Sequence, residues 1–200
     1  QERPDGSLVA GGAQRPMLPT GHVEFTWAAL NALQHAGLFE DADYRAVALA
    51  ALAPDLIDKP LAVLVFRKAN AALLFSHTLL LHALAWALAL RLKRQWLPYA
   101  LACSGHLLAD RMWGFTQTLL WPFRGLHFHQ WRHVGSAGAF LRAYGEIVRT
   151  EPKLALFELL GLALLGWVVL DRRLYQADRL RRFISQGRPE PDRGGAAGCG

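Results

Sequence analysis

Only two of the 200 residues are cysteine, Cys103 in mid-segment and Cys199 in a Gly-rich tail, so no disulfide framework organises the chain and neither thiol reports a redox compartment. Cysteine-pair zinc signatures, Gly-rich phosphate loops and serine nucleophile elbows are also missing, which removes the common zinc-ribbon, nucleotide and acyl-serine chemistries. There is no internal repeat, so the inverted-repeat pattern of many transporters has no support here. Residues 1–20 hold three Pro and three Gly but no apolar core of a signal peptide, and read as a disordered lead-in. The most informative absence is charge. Residues 71–90 contain no Asp, Glu, Lys or Arg, and residues 154–170 contain only Glu158.

Against those absences stands an apolar chain, 52% hydrophobic, with mean hydropathy +0.14. Uncharged runs of about 17–25 residues can cross a bilayer core. The expected fold is an all-α polytopic membrane bundle of four to five spans, with a soluble Ala/Leu-rich helical bundle as the alternative. Its segments run from Thr20, a plausible N-cap, to about Phe39, then over about 44–66, 71–92, 96–120 and 154–170. Pro54 should end, kink or unwind the second segment near Ala53, because an interior proline removes a hydrogen bond and clashes with the preceding turn. Residues 124–153 look interfacial, and 171–200 form a basic C-terminal helix and flexible tail. The +6 formal charge comes largely from Arg beside apolar segments, which suits lipid headgroups better than nucleic acid. With five spans, eleven Lys and Arg fall on the side of the C-terminus and nine on the other, a slight lean to a cytoplasmic C-terminus.

Five ionisable groups sit where such groups are costly. His106 and Asp110, in Gly105-His106-Leu107-Leu108-Ala109-Asp110, are spaced to share one helix face. Asp55 and Asp58 lie one turn apart after Pro54, and His77 stands in Ser76-His77-Thr78. A carboxylate at the bilayer centre costs about 2.5–3.5 kcal/mol, and the sequence neighbours Lys59 and Arg111 point away from Asp58 and Asp110 on a helix. A divalent metal shared by carboxylates and imidazoles satisfies all of them at once. The competing readings are a buried polar network tying helices together and a proton or ion path. His22 is open between ligand and interfacial residue. His82 faces elsewhere and reads as packing, His129 and His133 read as interfacial, and Glu24 and Glu158 are weaker candidates for a general base.

Together these motifs resemble the prokaryotic membrane-bound metal-dependent hydrolase family, which includes LexA-regulated inner-membrane hydrolases. The matching residues are Gly21-His22, Pro54-Asp55-Leu56-Ile57-Asp58, Ser76-His77-Thr78, Gly105 to Asp110 and Leu120-Trp121-Pro122-Phe123, over about residues 20–137. The pattern departs at Gly135-Ser136, followed here by Ala137-Gly138 rather than Glu. The resemblance implies a multi-pass protein of the inner (cytoplasmic) membrane with the ligand set His22, Asp55, Asp58, His77, His106 and Asp110. Zinc is the leading ion, with manganese or iron as alternatives, in one or two copies. The expected activity is hydrolysis of an ester or phosphoester of a lipid-like substrate, with membrane lipid as partner and no nucleic acid. The alternative is a non-enzymatic ion- or proton-binding or transport protein using the same cluster.

Overall fold

The computed structural model describes residues 17–66, 71–130 and 152–189, with Gly138, Arg142, Gly145 and Arg149 described singly between them. Expectations for residues 1–16, Arg67-Lys68, His133, Gly135-Ser136 and the tail beyond 189 lie outside the described residues. The described residues form an all-α protein with seven helices: α1 (Pro19–His35), α2 (Tyr44–Leu64), α3 (Leu79–Leu92), α4 (Leu97–Ala109), α5 (Thr116–Leu119), α6 (Pro152–Asp171) and α7 (Ala177–Gln186).

The ends of these helices follow local chemistry. Pro19 stands in the first turn of α1, where a missing N–H is harmless, and Leu18 occupies the cap position. Thr20 is therefore not the N-cap; its hydroxyl donates to Glu158 Oε2 on α6 at 2.7 Å. Asp43 caps α2 through the amides of Arg45 and Ala46, and Thr78 caps α3 through the amide of Leu81. Thr78 stands where the chain leaves a short 3₁₀ turn over Phe75–His77, so the third apolar segment begins as a turn rather than a helix. Helix α4 stops at Ala109 because Arg111 takes a left-handed conformation (φ 51°).

The expected break in the second helix is not present. Helix α2 runs unbroken through Pro54 and Pro60. Its wall is held from outside: the Ser76 hydroxyl donates to the Pro54 carbonyl at 2.8 Å, and His106 Nδ1 binds the Ala51 carbonyl at 2.7 Å. Tertiary hydrogen bonds and packing on α1 and α4 thus override the local cost of proline.

The multi-span expectation also meets a correction. Among the described residues, no helix is long and apolar enough to cross a membrane. Helices α1, α3 and α4 have 17, 14 and 13 residues, or about 20–26 Å at 1.5 Å per residue, against a hydrocarbon core of about 30 Å. Helix α2 is longer but carries Asp55, Asp58 and Lys59.

A core of Ala28, Leu30, Tyr44, Val47, Ala51, Ala102, Val168 and Phe183 joins α1, α2, α4, α6 and α7. A second cluster, Leu73, Leu107, Met112 and Phe115, seats the 71–78 strap on the end of α4. The result brings the middle of α2, the 3₁₀ turn and the end of α4 to one buried point, with the start of α1 laid over it. Elsewhere leucines face outward in rows, among them Leu80, Leu84 and Leu88 on α3 and Leu156, Leu159 and Leu170 on α6.

Candidate metal centre

Each ligand candidate is placed by a specific local device. Asp58, fully buried on α2, accepts the amides of Leu74 at 2.6 Å and Ser76 at 3.2 Å. The first of those amides precedes the 3₁₀ turn that carries His77 and the second lies within it, so the Asp58 carboxylate pins the turn. The same carboxylate oxygen that binds Leu74 lies 2.7 Å from His77 Nδ1. His106 is held in the same way, its Nδ1 bound to the Ala51 carbonyl. Carbonyl and carboxylate oxygens accept, so both rings carry their proton on Nδ1, and in the neutral form each turns an Nε2 lone pair inward.

Two carboxylate oxygens meet those lone pairs. Asp55 Oδ1 is 3.7 Å from His77 Nε2 and 3.8 Å from His106 Nε2. Asp110 Oδ2 is 3.8 Å and 3.3 Å from the same two atoms, and the two Nε2 atoms are 3.2 Å apart. All four donors lie within 4.8 Å of one another, and all four residues are buried. An ion bound tetrahedrally at about 2.0–2.1 Å from each ligand separates its ligands by about 3.3 Å. The donor set, the spacing and the unpartnered, buried Asp110 Oδ2 all fit a divalent cation. Without positive charge, four electron-rich atoms would face one another in a buried site.

The remaining candidates surround this group. Asp58 lies behind His77 rather than among the four donors, in the place of an outer carboxylate that orients a histidine ligand. His22 stacks on His106 with ring centroids 3.9 Å apart and an interplanar angle of 16°. Its Nε2 is 3.2 Å from Asp110 Oδ1, which also accepts the Met17 amide at 2.9 Å. Neither ring nitrogen of His22 has an aligned hydrogen-bond partner, although the residue is 2% exposed. Lys59 pairs with Asp55 through Oδ2, four residues back along α2, leaving Oδ1 toward the histidines. The i,i+4 spacing is the sequence signal that identifies this partner, where simple adjacency points to Asp58.

Glu24 and Glu158 sit apart from the donors, where α1 meets α6; a Cβ on Gly161 would run into Glu24 Oε2. His82 binds Ser104 Oγ at 3.1 Å and the Ser76 carbonyl at 3.0 Å, a helix-tying role. The His129 ring packs edge-on against Phe115. The Ala51 carbonyl that holds His106 is a contact that no sequence signal announces, because every residue has a carbonyl.

A model of the YdjM inner membrane protein family matches residues 17–175, which includes every residue of the centre. No curated protein and no solved structure matches the chain. The matched stretch is most of the chain, and its outward-facing leucine rows agree with a location in the inner membrane. The chain belongs to the YdjM inner membrane protein family.

Proposed function

We propose that this protein is a membrane-embedded, divalent-metal-dependent hydrolase acting on an ester or phosphoester of a lipid-like substrate. The observation that supports this most is the convergence of Asp55 Oδ1, His77 Nε2, His106 Nε2 and Asp110 Oδ2 in a buried site. Mixed His and Asp sets of this kind are those of hydrolytic metal centres, and zinc is the leading ion. A bound divalent ion would supply activation of water near neutral pH and polarisation of an ester oxygen. The chain's own residues do the rest. Asp58 and the Ala51 carbonyl hold the protons of His77 and His106 on Nδ1, which keeps both Nε2 atoms available. Lys59 offsets part of the negative charge of Asp55. Asp55, at 7% exposed, is the least enclosed of the four. The leucine rows of α3 and α6 would meet acyl chains.

A non-enzymatic proton or ion relay is the second reading, favoured by the 3.2 Å between His77 Nε2 and His106 Nε2, within reach of a shared proton. Turnover separates the two. The purified protein, stripped with chelator and reloaded with zinc, is assayed on p-nitrophenyl esters and phosphoesters of increasing chain length. The hydrolase reading expects activity that returns with zinc and falls about a hundredfold or more in Asp110→Asn. Metal-independent activity, or none on any ester with metal bound, overturns it.

A further inference from the structure

A cavity of about 370 Å³ opens beside the metal centre, between α1 and α4. It is walled by Phe25, Ala29 and Leu33 of α1 and by Leu101, Gly105 and Leu108 of α4, with Val47 of α2 also contributing. Its lining is almost wholly apolar, and the exception next to the four donors is His22, whose ring stacks on the ligand candidate His106. The two walls run antiparallel. The start of α1 meets the end of α4 through that stack, while the Tyr99 hydroxyl near the start of α4 lies 3.3 Å from the Asp43 amide beyond the end of α1.

We infer that this groove is the binding subsite for the single hydrocarbon chain of the substrate, with the scissile ester held at the His22 end. The inference rests on the hydrolase reading for its placement of the ester, and on the groove itself for the chain. From His22 to Leu33 the α1 wall is about 16 Å long at 1.5 Å per residue. Carbon–carbon bonds of about 1.5 Å advance an extended chain by about 1.3 Å each, so about twelve methylenes span it. The volume falls in the range of small-molecule pockets, about 300–1,000 Å³, and matches the bulk of about twelve water molecules. An apolar groove of that bulk, partly open to its surroundings, excludes a sugar or nucleotide and suits one alkyl chain entering from the membrane. His22 is the other observation that points to a ligand: it is more than nine-tenths buried, it lines the groove, and its Nδ1 has no partner, while its Nε2 lies 3.2 Å from Asp110 Oδ1.

Gly105 provides the test. A Cβ there meets nothing within 4 Å, so a larger side chain projects into the open groove without displacing the helix. The probe is dodecyl phosphate with a diazirine at its terminal carbon, added to the zinc-loaded full chain in phospholipid nanodiscs and mapped by peptide mass. The groove expects saturable labelling within residues 29–39 or 98–102, competed by unlabelled dodecyl phosphate. Butyl phosphate competes about a hundredfold or more weakly, because each buried methylene raises affinity several-fold. Gly105→Leu, and independently Ala29→Leu on the opposite wall, lower the saturable labelling about tenfold or more. Labelling confined to the outward leucines of α3 and α6, or saturable labelling that ignores both substitutions, overturns the subsite. Saturable groove labelling with no ester hydrolysed keeps the subsite and removes the hydrolase reading. Hydrolysis of short esters without saturable labelling does the reverse.

Discussion

Replacing Asp58 by asparagine tests how the centre is built, because it keeps the side chain's size and changes only its hydrogen bonding. Asp58 Oδ1 faces the Ser76 amide at 3.2 Å, and Oδ2 faces both the Leu74 amide at 2.6 Å and His77 Nδ1 at 2.7 Å. All three partners donate, and asparagine offers one acceptor and one donor, so either orientation sets its NH₂ against a donor. If the oxygen stays on His77, the Ser76 contact is lost and the carboxylate charge goes with it. A charge-assisted hydrogen bond contributes about 1.5–3 kcal/mol against about 1 for a neutral one, so that route costs about 1–2 kcal/mol. If the NH₂ turns to His77, the imidazole moves its proton to Nε2 and a ligand atom disappears. Both routes predict a zinc affinity lower by about 10–100-fold, the range found for outer partners of histidine ligands, or about 1.4–2.7 kcal/mol at 1.36 kcal/mol per decade. The assay is competitive zinc titration against a chromophoric chelator, with His82→Gln as the control, since His82 ties Ser76 and Ser104 without touching a donor atom. An Asp58→Asn variant that binds zinc as tightly as wild type would refute the assigned role of Asp58.

Other outcomes follow from the same geometry. Gly187 ends α7 at φ +72°, and a Cβ there would collide with the Asp43 carboxylate, so Gly187→Ala should cost about 1–2 kcal/mol from the left-handed backbone alone and lower the melting temperature. Hydrogen bonding to Arg45 holds the Asp43 carboxyl below its ordinary range. Its contribution to stability is therefore complete above about pH 3.9, the unfolded value, and lost as pH falls toward the depressed folded value. Thermal melts of wild type should steepen their decline in that acid window, and Asp43→Asn should flatten it. His22→Ala removes the ring stacked on His106 without removing a donor of the group, so zinc stoichiometry should be retained while activity on long-chain esters falls; loss of the zinc would place His22 among the ligands.

Much of the centre was legible because its residues are chemically out of place. A carboxylate or imidazole inside an apolar run has few reasons to be there, so His77, His106, Asp55 and Asp110 stand out before any contact is known, and the structure sets their donor atoms within 4.8 Å. Asp58 stands out equally but its carboxylate lies against His77 Nδ1, outside the group of four donors, a difference that sequence spacing does not show. The helical segments were legible from apolar run length and from Pro and charge at their ends. Their true ends were not: Thr20 has the chemistry of a cap but donates to Glu158, while the cap position falls to Leu18 ahead of Pro19. Pro54 reads as a break because local cost is visible in sequence, whereas the bonds from Ser76 and His106 that steady α2 come from residues more than twenty positions away. Among the described residues no helix is long and apolar enough to cross a membrane, in part for a related reason, since apolar runs over 71–92 and 96–120 contain a 3₁₀ turn and a left-handed residue that shorten their helices.

The central claim is that four buried side chains hold a divalent ion, and metal content tests it most directly. The full chain is purified from zinc-supplemented cells and analysed for metal per protein, wild type beside His106→Ala and Asp110→Ala, with helical content measured for each. The account predicts stoichiometric metal in wild type and its loss in both variants while they remain helical. Wild-type protein free of metal, or variants that keep it, would contradict the account and leave the His/Asp cluster as a buried polar network.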